Sequence, residues 1–220
     1  MIEHPAIIDL HTHSLFSDGV LLPAELIRRA EHRGYRVIAI TDHVDQSNMD
    51  FVIPRVVELS ESLNRVMQIK TIPGVELTHV PPVTIAGLSD RARSLGAKLI
   101  VVHGETIVEP VAPGTNHHAL EADINILAHP GLIVPEDVEL ASRRGIFLEI
   151  SARKGHCLTN GHVAKLAMEI GARLVLNTDA HEPSDLMTEE HALAVARGAG
   201  LKEEQVRAMF ANSEELSSSF

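Results

Sequence analysis

The chain has 220 residues, of which 45% are hydrophobic and 22% are charged, which is enough for one domain with a sizeable core. A net charge of −11 argues against binding to a long nucleic acid, and no apolar stretch approaches the roughly 20 residues of a membrane span. A single cysteine, Cys157, excludes an internal disulfide and, with no secretory signal at the N-terminus, predicts a cytoplasmic protein.

Seven short apolar runs predict buried β-strands, and helical spacing of apolar residues predicts helices between and after them. The predicted strands span residues 6–8, 36–41, 69–75, 98–102, 124–128, 146–150 and 173–178. The predicted helices span residues 23–33, 51–66, 83–95, 117–122, 135–143, 160–170, 188–197 and 203–212. We expect the serine-rich residues after the last helix to fray. The loop 104–116 is rich in proline and glycine and is long enough to be a functional lid or binding loop.

Strands and helices alternate along the chain, which predicts parallel strands joined by right-handed crossovers. Either an open, doubly wound sheet or a closed barrel fits this alternation. An open sheet gathers its ligands at one switch point in the strand order, whereas here ligand-type residues close nearly every strand. Only closure brings all these strand ends to one rim, so the sequence favours a seven-stranded barrel. No domain boundary is evident, which predicts one domain over residues 1–220.

Residues of metal-ligand type stand where six of the seven runs end. His11 and His13 lie two residues apart, so in an extended chain both side chains reach the same face and the same ion. Asp18 follows in the loop, and imidazole with carboxylate suits a transition metal. A His-x-His pair alone is equally typical of two surface histidines, and the recurrence at later strand ends is what favours a metal site. The later residues of this kind are Asp42, His43, Glu76, His103, His129, Asp179 and His181.

The motifs around these residues resemble, in order, those of the polymerase-and-histidinol-phosphatase (PHP) family. They are Asp9-Leu10-His11-Thr12-His13, Thr41-Asp42-His43, Pro73-Gly74-Val75-Glu76, Val102-His103, Ala128-His129-Pro130 and Asn177-Thr178-Asp179-Ala180-His181. The resemblance implies an α/β fold, a distorted TIM-like (β/α)7 barrel with a metal cluster at its C-terminal rim. It also implies a hydrolase of phosphate esters, with two or three divalent transition-metal ions (Zn, Fe or Mn) as cofactors.

The same resemblance assigns the ligands residue by residue. The first metal would be held by His11, His13, Glu76 and Asp179, the second by Glu76, His103 and His129, and the third by Asp18, His43 and His181. Some relatives have histidine at the position of Asp18, but a carboxylate is also a competent ligand. Glu76 and Asp179 would be the catalytic residues, acting through metal-bound water. Asp42 would point away from His43 in an extended strand and is expected to support the site.

Hydrolysis of a phosphate ester needs a strong nucleophile at neutral pH and shielding of the anionic oxygens. Two metals about 3.5–4 Å apart supply both, because they acidify a bridging water and clamp the phosphoryl oxygens. Glu76 suits the bridging position, since each carboxylate oxygen can bind one metal. The strand 146–150 is followed by Arg153 and Lys154, and Arg153 is a candidate for a bidentate clamp on a substrate phosphate. In the alternative, one or both cations lie in solvent.

The other histidines allow two interpretations each. His117 and His118 lie beside the long loop and fit either a general acid or, with more support, a helix start with incidental histidines. His79 and His156 lie near the rim by sequence and are candidates for substrate contact, although a structural role is favoured. The remaining four are expected at the surface or in caps: His4, His32, His162 and His191.

Three functions follow from this pattern. The favoured one is hydrolysis of a small-molecule phosphomonoester by a metal-bridging hydroxide, and nothing singles out histidinol phosphate as the substrate. The second is a phosphodiesterase or nuclease acting on nucleotides or short oligonucleotides, since the charge of −11 offers no long basic track. The third is a non-catalytic subunit of an RNA-protein complex, for which lost ligands and a basic face would be expected. No membrane partner is expected, and the oligomeric state stays open.

Overall fold

The computed structural model describes residues 7–220, and eight β-strands form within that range. His4 and Ala6, the latter the predicted start of the first strand, lie outside the described residues. The strands are β1 Ile7–Asp9, β2 Tyr35–Ile40, β3 His43–Val44, β4 Lys70–Leu77, β5 Leu99–His103, β6 Ile126–Ala128, β7 Phe147–Ser151 and β8 Leu174–Asn177.

The same part of the chain forms eight α-helices, and none of them is long and apolar enough to cross a membrane. Pro23 and Pro135 stand in the first turn of two of them, where the missing N–H of proline leaves no hydrogen bond unmade. The helices are α1 Pro23–His32, α2 Met49–Leu63, α3 Ile85–Ser94, α4 Thr115–Glu121, α5 Pro135–Arg144, α6 Asn160–Ile170, α7 Glu189–Gly198 and α8 Glu203–Ser218.

The strands pair in parallel in the order β1-β2-β4-β5-β6-β7-β8. The two-residue β3 pairs with β4 beyond the end of β2, because the second strand breaks at Thr41 and Asp42 and resumes at His43. A helix follows most strands on the outside of the sheet. The predicted α/β fold, a distorted TIM-like (β/α)7 barrel, is therefore confirmed.

The barrel closes between β1 and β8, and it does so beyond the regular strand ends. Thr12 and Ala180 form a parallel bridge, the amide of His13 donates to the carbonyl of Ala180 at 2.8 Å, and the amide of Asp179 donates to the carbonyl of His11 at 2.9 Å. The closing bonds thus come from the segments that carry the predicted ligands. As a result, barrel closure fixes the backbone of those segments.

Alternate strand residues fill the barrel interior, because side chains alternate across a strand with period two. A larger apolar cluster lies between the outer face of the sheet and the helices. The buried residues of the interior cluster are Ile8, Leu10, Val37, Ala39, Ile72, Leu99, Val101, Ile126, Ala128, Phe147, Val175 and Leu216.

The C-terminal residues are ordered, so the predicted fraying after residue 212 is wrong. Helix α8 continues to Ser218, and its Leu216 packs into the interior cluster at the N-terminal end of the strands. The Lys70 ammonium, at the start of β4, donates to the carbonyls of Ser217 and Phe220 at 2.7 and 2.8 Å. The local composition of this serine-rich segment predicts fraying. Its contacts with a distant strand stabilise it as a helix instead.

Candidate metal centre

His11, His13 and Asp179 come together where β1 and β8 close the barrel. The Nε2 atom of His13 lies 3.1 Å from Oδ1 of Asp179, and the Nε2 atom of His11 lies 3.8 Å from the same oxygen. All three side chains are buried. Three of the four ligands predicted for the first metal therefore lie close together in the structure, although they come from opposite ends of the sequence.

Glu76 lies between the histidines of several strands. Its Oε1 is 3.4 Å from Nε2 of His11 and 3.5 Å from Nε2 of His129, while its Oε2 is 2.7 Å from Nδ1 of His43. Ile72 fills the barrel interior, and Glu76 continues the same face of β4 four residues later. The position that sequence analysis proposed for a bridging carboxylate is thus at the middle of the histidine cluster.

Several atoms in this cluster suit a metal ion because they have no hydrogen-bond partner. Within residues 7–220, the unpartnered buried atoms include Nε2 of His11, Nε2 of His13 and Oε1 of Glu76. Neighbouring atoms in the cluster are 3.1–3.8 Å apart. Bonds of about 2.0–2.1 Å to one tetrahedral ion would set its ligands about 3.4 Å apart, so the residues present fit an ion of that kind.

A second group of ligands lies on the outer side of His13. Oδ1 of Asp18 is 3.0 Å from Nε2 of His181 and 3.4 Å from Nε2 of His43. Hydrogen bonds from His181 and His43 hold the pKa of the Asp18 carboxyl well below its usual range, although burial opposes this. The predicted third set is therefore assembled, with an ionised carboxylate available for a cation.

Asp42 supports the loop that carries Asp18. Its carboxylate accepts hydrogen bonds of 2.7 Å from the Ser14 amide, the Ser14 hydroxyl and the Ser17 hydroxyl. Asp42 thus binds the loop after β1, while its neighbour His43 faces the candidate ligands.

His103 and His129 form the third group, and two residues join them that the ligand assignment did not include. The His129 ring stacks on that of His156, with centroids 4.1 Å apart, and the His103 ring lies 4.4 Å from that of His129. Glu109, from the loop 104–116, places Oε2 3.0 Å from Nε2 of His103 and Oε1 3.4 Å from Nε2 of His156. His156, a candidate for substrate contact, therefore lies at this part of the site.

The electrostatics of the centre favour ionised carboxylates. Burial opposes ionisation of Glu76, but His11 and His43 outweigh it and hold the pKa of this carboxyl well below its usual range. Likewise His11 and His13 outweigh burial and hold the pKa of Asp179 low. Burial, aided by the charge of His43, lowers the pKa of His13 to about 3. The centre thus offers ionised carboxylates and, at His13, a neutral imidazole. Burial lowers the pKa of His11 and His43, but the carboxylates outweigh it: Glu149 and Glu76 hold the pKa of His11 well above its usual value, and Glu76 raises that of His43 to about 10. Both rings must therefore release a proton to bind a metal ion.

Glu149, which sequence analysis did not single out, orients a candidate ligand. Its Oε2 lies 2.8 Å from Nδ1 of His11 and accepts a hydrogen bond of 2.9 Å from the side-chain amide of Asn177. A ligand histidine is commonly oriented in this way, because the bond at one ring nitrogen aims the other nitrogen at the metal. The available signal was an acidic residue inside the apolar run 146–150, away from the strand ends where the other candidate ligands lie.

Asp9 is a second buried acid beneath the site. Burial raises the pKa of Asp9 to about 7, against hydrogen bonds from Thr178 and the His11 amide. Its carboxylate accepts bonds from the Thr178 amide at 3.2 Å and the Thr178 hydroxyl at 2.5 Å. Asp9 therefore joins the segments after β1 and β8 without facing the candidate ligands.

Arg153 reaches the centre, while Lys154 lies further out. The Nη1 atom of Arg153 donates to the carbonyl of Asp179 at 3.0 Å and lies 2.6 Å from Nδ1 of His181. Arg153 and Lys154 both line an open cavity of about 330 Å³, together with Val20, His181, Glu182 and Asp185.

Five other histidines of the described residues lie apart from the centre, whereas the ring of His79 lies 4.8 Å from that of His103. His117, on α4, is 2.7 Å from Asp137 on α5, and His118 is 2.9 Å from the carbonyl of Gly114, the residue just before its own helix. Nε2 of His162 bonds to the Ile133 carbonyl at 2.8 Å. His32 and His191 lie in helices α1 and α7. None of these five contributes to the ligand groups described above, which favours the helix-start interpretation of His117 and His118.

Comparison with known proteins identifies relatives of the whole chain. The PHP domain family matches residues 9–119. An uncharacterized protein of Methanocaldococcus jannaschii is 48% identical over 200 residues, which cover 90% of this chain and 92% of that protein. A probable phosphatase of Thermoanaerobacter sp. is 29% identical over 224 residues, covering 91% and 89%. A 5'-3' exoribonuclease of Escherichia coli is 27% identical over 169 residues, covering 77% of this chain and 50% of that protein.

Two solved structures share the fold. A chain of archaeal ribonuclease P, solved with mature tRNA, has a TM-score of 0.74 and 15% identity, covering 96% of this chain and 90% of that one. A histidinol phosphate phosphatase of Lactococcus lactis, solved with zinc, L-histidinol and phosphate, has a TM-score of 0.61 and 17% identity, covering 89% and 94%. At these identities the likeness concerns the fold.

Proposed function

Because this chain belongs to the PHP family, we propose that it is a metal-dependent phosphoesterase whose substrate is a small-molecule phosphomonoester. The observation that carries the proposal is the set of buried ligand atoms around Glu76 that have no partner among the described residues. Each buried polar atom left unpaired weakens a fold by about 1–3 kcal/mol. A protein that used this rim only for structure would gain stability by replacing these polar side chains with apolar ones.

We assign the candidate ligands to two or three divalent transition-metal ions. The first ion takes His11, His13, Glu76 and Asp179, the second takes Glu76, His103 and His129, and the third takes Asp18, His43 and His181. When bound, such ions supply a nucleophilic water at neutral pH and neutralise the charge of phosphoryl oxygens. Imidazole with carboxylate suits zinc, iron and manganese alike.

Glu76 and Asp179 are the residues on which the reaction depends in this proposal. The two oxygens of Glu76 face histidines on different sides, His11 and His129 through Oε1 and His43 through Oε2. Asp179 does the same, with Oδ1 3.1 Å from His13 and Oδ2 3.7 Å from His129. In this proposal each carboxylate lies between two neighbouring groups of candidate ligands and sets the distance between them.

Arg153 binds the substrate phosphate in this proposal. Its contacts to the Asp179 carbonyl and His181 pass through Nη1, and a guanidinium carries five N–H donors, so others are available to phosphoryl oxygens. The side chain is 30% exposed and borders the cavity of about 330 Å³, a size that suits a small phosphate ester. Lys154 adds a second positive charge at the outer wall of that cavity.

The charge of the chain supports a small substrate over a long nucleic acid. The net charge is −11, and Glu182 and Asp185 line the cavity beside the two cations. A nucleic-acid backbone needs a track of positive charge, which acidic neighbours interrupt. The relative named a probable phosphatase matches along 89% of its length, which also supports this substrate class.

Hydrolysis of a phosphodiester is the second candidate. The observation that favours it is the similarity to a protein named a 5'-3' exoribonuclease, over 77% of this chain. The same ligand set would serve a diester, because metals shield the phosphoryl oxygens of either ester. In that case the cavity would bind a nucleotide or short oligonucleotide.

The test is metal analysis of the purified protein, combined with hydrolysis of p-nitrophenyl phosphate and bis(p-nitrophenyl) phosphate under added zinc or manganese. We expect bound metal and turnover of the monoester. Turnover of the diester alone would transfer the proposal to the second candidate. Absence of bound metal under every loading condition would contradict both candidates, whereas bound metal without turnover of either generic ester would leave the substrate to a wider screen of phosphate esters.

A further inference from the structure

Backbone strain identifies one residue beside the proposed ligands. Among non-glycine residues in the described range 7–220, positive φ angles occur at His79 (51°), His129 (27°) and Asp179 (54°). Residues with a side chain rarely adopt a positive φ angle. Such backbone strain persists mainly where it positions a functional group. Two of the three are proposed ligands, so the third, His79, is singled out by the same backbone feature.

His79 faces a carboxylate that another candidate ligand also faces. Its Nε2 lies 3.2 Å from Oε2 of Glu109, and Nε2 of His103 lies 3.0 Å from the same oxygen. The His79 and His103 rings have centroids 4.8 Å apart. Two imidazole nitrogens and one carboxylate oxygen therefore converge on a single point at the mouth of the barrel.

The loop that carries Glu109 is fixed just before that residue. The Thr106 hydroxyl is 2.8 Å from Nδ1 of His156, and the Val108 side chain packs over Gly155, a position with a φ of 95°. Both contacts join the loop to the segment after β7. Glu109 is thus directed at the mouth by neighbours that are distant in sequence.

The base of the loop is fixed as well. The Asn116 side-chain oxygen Oδ1 accepts a hydrogen bond from the backbone amide of Glu105 at 2.9 Å. The backbone amide of Asn116 donates to the Glu105 carboxylate at the same distance. Gly131, with a φ of 65°, passes so close to the Glu105 carbonyl that a Cβ would collide with it. Because only glycine fits this crossing, the start of the loop packs directly against the backbone at residue 131.

We propose that His79, His103 and Glu109 form an alternative transition-metal position at the mouth, with zinc as the type of ion it takes. Two histidines and one carboxylate are a donor set that binds zinc and leaves a position open to solvent or substrate. The site rests on the proposed metal centre through His103. Because Nδ1 of His103 lies 3.1 Å from the Gly104 carbonyl, only Nε2 of this ring is free to bind a metal, so the mouth site and the second proposed ion are alternative positions for one ion. The site does not depend on any reaction. An ion there ties the loop 104–116 to the ends of β4 and β5.

The exposure of the ligands sets this site apart from the inner centre. The side chains of His79 and Glu109 are 41% and 37% exposed, whereas that of His103 is 3% exposed. An ion held by two half-exposed ligands exchanges with solvent more readily than one enclosed by buried strands. It also adds positive charge where an anionic substrate enters, which opposes the net charge of the chain.

The test compares Glu109→Gln and His79→Gln with the unaltered protein in titrations with zinc and cobalt. We measure ions per chain by elemental analysis and ligand environment by cobalt absorption. Each variant is expected to bind the weakest class of ion at least about tenfold more weakly. Hydrogen exchange of the loop 104–116 should slow on adding zinc to the unaltered protein and stay fast in both variants.

The matched controls are His117→Gln and Glu121→Gln, which alter another histidine and glutamate pair, 3.8 Å apart, away from the barrel mouth. Both should leave stoichiometry and loop exchange unchanged. Unchanged stoichiometry, affinity and exchange in the Glu109 and His79 variants would overturn the inference. Loss of every ion in both variants would also overturn it, because the residues would then belong to one inseparable centre. If the unaltered protein bound no ion, the proposed function would fail first.

Discussion

At the C-terminal end of the barrel, the strands give way to histidines and carboxylates, and several of their buried atoms have no hydrogen-bond partner within residues 7–220. At the N-terminal end, Leu216 packs among apolar strand residues and Lys70 binds the last carbonyls of the α8 segment. Single strands contribute to both ends: β4 begins with Lys70 and carries Glu76 near its finish. The barrel therefore separates stability from chemistry along each strand, as barrel enzymes do.

The difference has a thermodynamic consequence. Unpaired buried polar atoms lower the stability of a fold, so the candidate metal end is maintained by the rest of the barrel. The apolar end contributes stability and touches none of the candidate ligands. Substitutions at the two ends should therefore have opposite signatures, with metal content changed at one and the free energy of unfolding changed at the other.

The largest expected effect is that of Glu76→Gln. The amide keeps the shape but loses the charge that lies between His11, His43 and His129. We expect at least one ion per chain to be lost and monoester turnover to fall about 1000-fold. Elemental analysis and steady-state kinetics measure both.

The control for that substitution is Glu139→Gln, which changes an exposed glutamate on α5 that lies 3.6 Å from Arg143. It should alter neither quantity. Unchanged metal content in Glu76→Gln would show that the strand ends are not the metal centre.

At the opposite end, Leu216→Ala should reduce stability and spare the metal. Leu216 is 7% exposed within the interior cluster, and removing such a side chain destabilises by about 2–4 kcal/mol. Denaturant unfolding of the metal-free protein measures this, and Val83→Ala, at a position 79% exposed, should change it by less than about 0.5 kcal/mol. A loss of metal content in Leu216→Ala would contradict the separation of the two ends.

The same division explains what the sequence could predict. His11, His13 and Glu76 lie on or next to strands, where an apolar run fixes the strand and alternation fixes the face. The seven-stranded barrel followed from the spread of ligand-type residues over nearly all strand ends. These features depend on local pattern, which is why a single sequence was enough to predict them.

Other features depend on contacts between distant segments. Glu109 reaches the mouth because Thr106 bonds to His156, fifty positions along the chain. The final turns of α8 are helical because Lys70, in a remote strand, binds their carbonyls. The local sequence of either segment does not indicate these distant partners. Glu149 is different, because a lone acid in an apolar strand was a readable signal.

Glu149→Gln should weaken metal binding without removing a ligand. Glutamine keeps the size of the side chain but withdraws the charged acceptor that lies 2.8 Å from Nδ1 of His11. Losing such a partner usually lowers metal affinity about 10- to 100-fold. Competition with a chelator measures the affinity, and Glu169→Gln, on an exposed turn of α6, is the matched control. Equal affinities would show that Asn177 and burial alone orient His11.

Arg153→Met tests the cavity beside the centre. We expect the KM for the monoester to rise about tenfold and inhibition by inorganic phosphate to weaken similarly, because a charge-assisted hydrogen bond is lost. Lys154→Met should have a smaller effect, since Lys154 lies further from the candidate ligands. If the Lys154 substitution had the larger effect, the phosphate would lie at the outer wall of the cavity and the role of Arg153 would be structural.

The smallest effect is expected for Lys70→Met, at the base of β4. Methionine keeps the apolar stem but removes the ammonium that donates to Ser217 and Phe220 at 2.7 and 2.8 Å. We expect a loss of about 1 kcal/mol in the free energy of unfolding, with faster hydrogen exchange confined to the end of α8. Lys165→Met, which alters a lysine 71% exposed, should change neither. If exchange at the end of α8 stayed slow, packing of Leu216 rather than the lysine bonds would be what holds that segment in place.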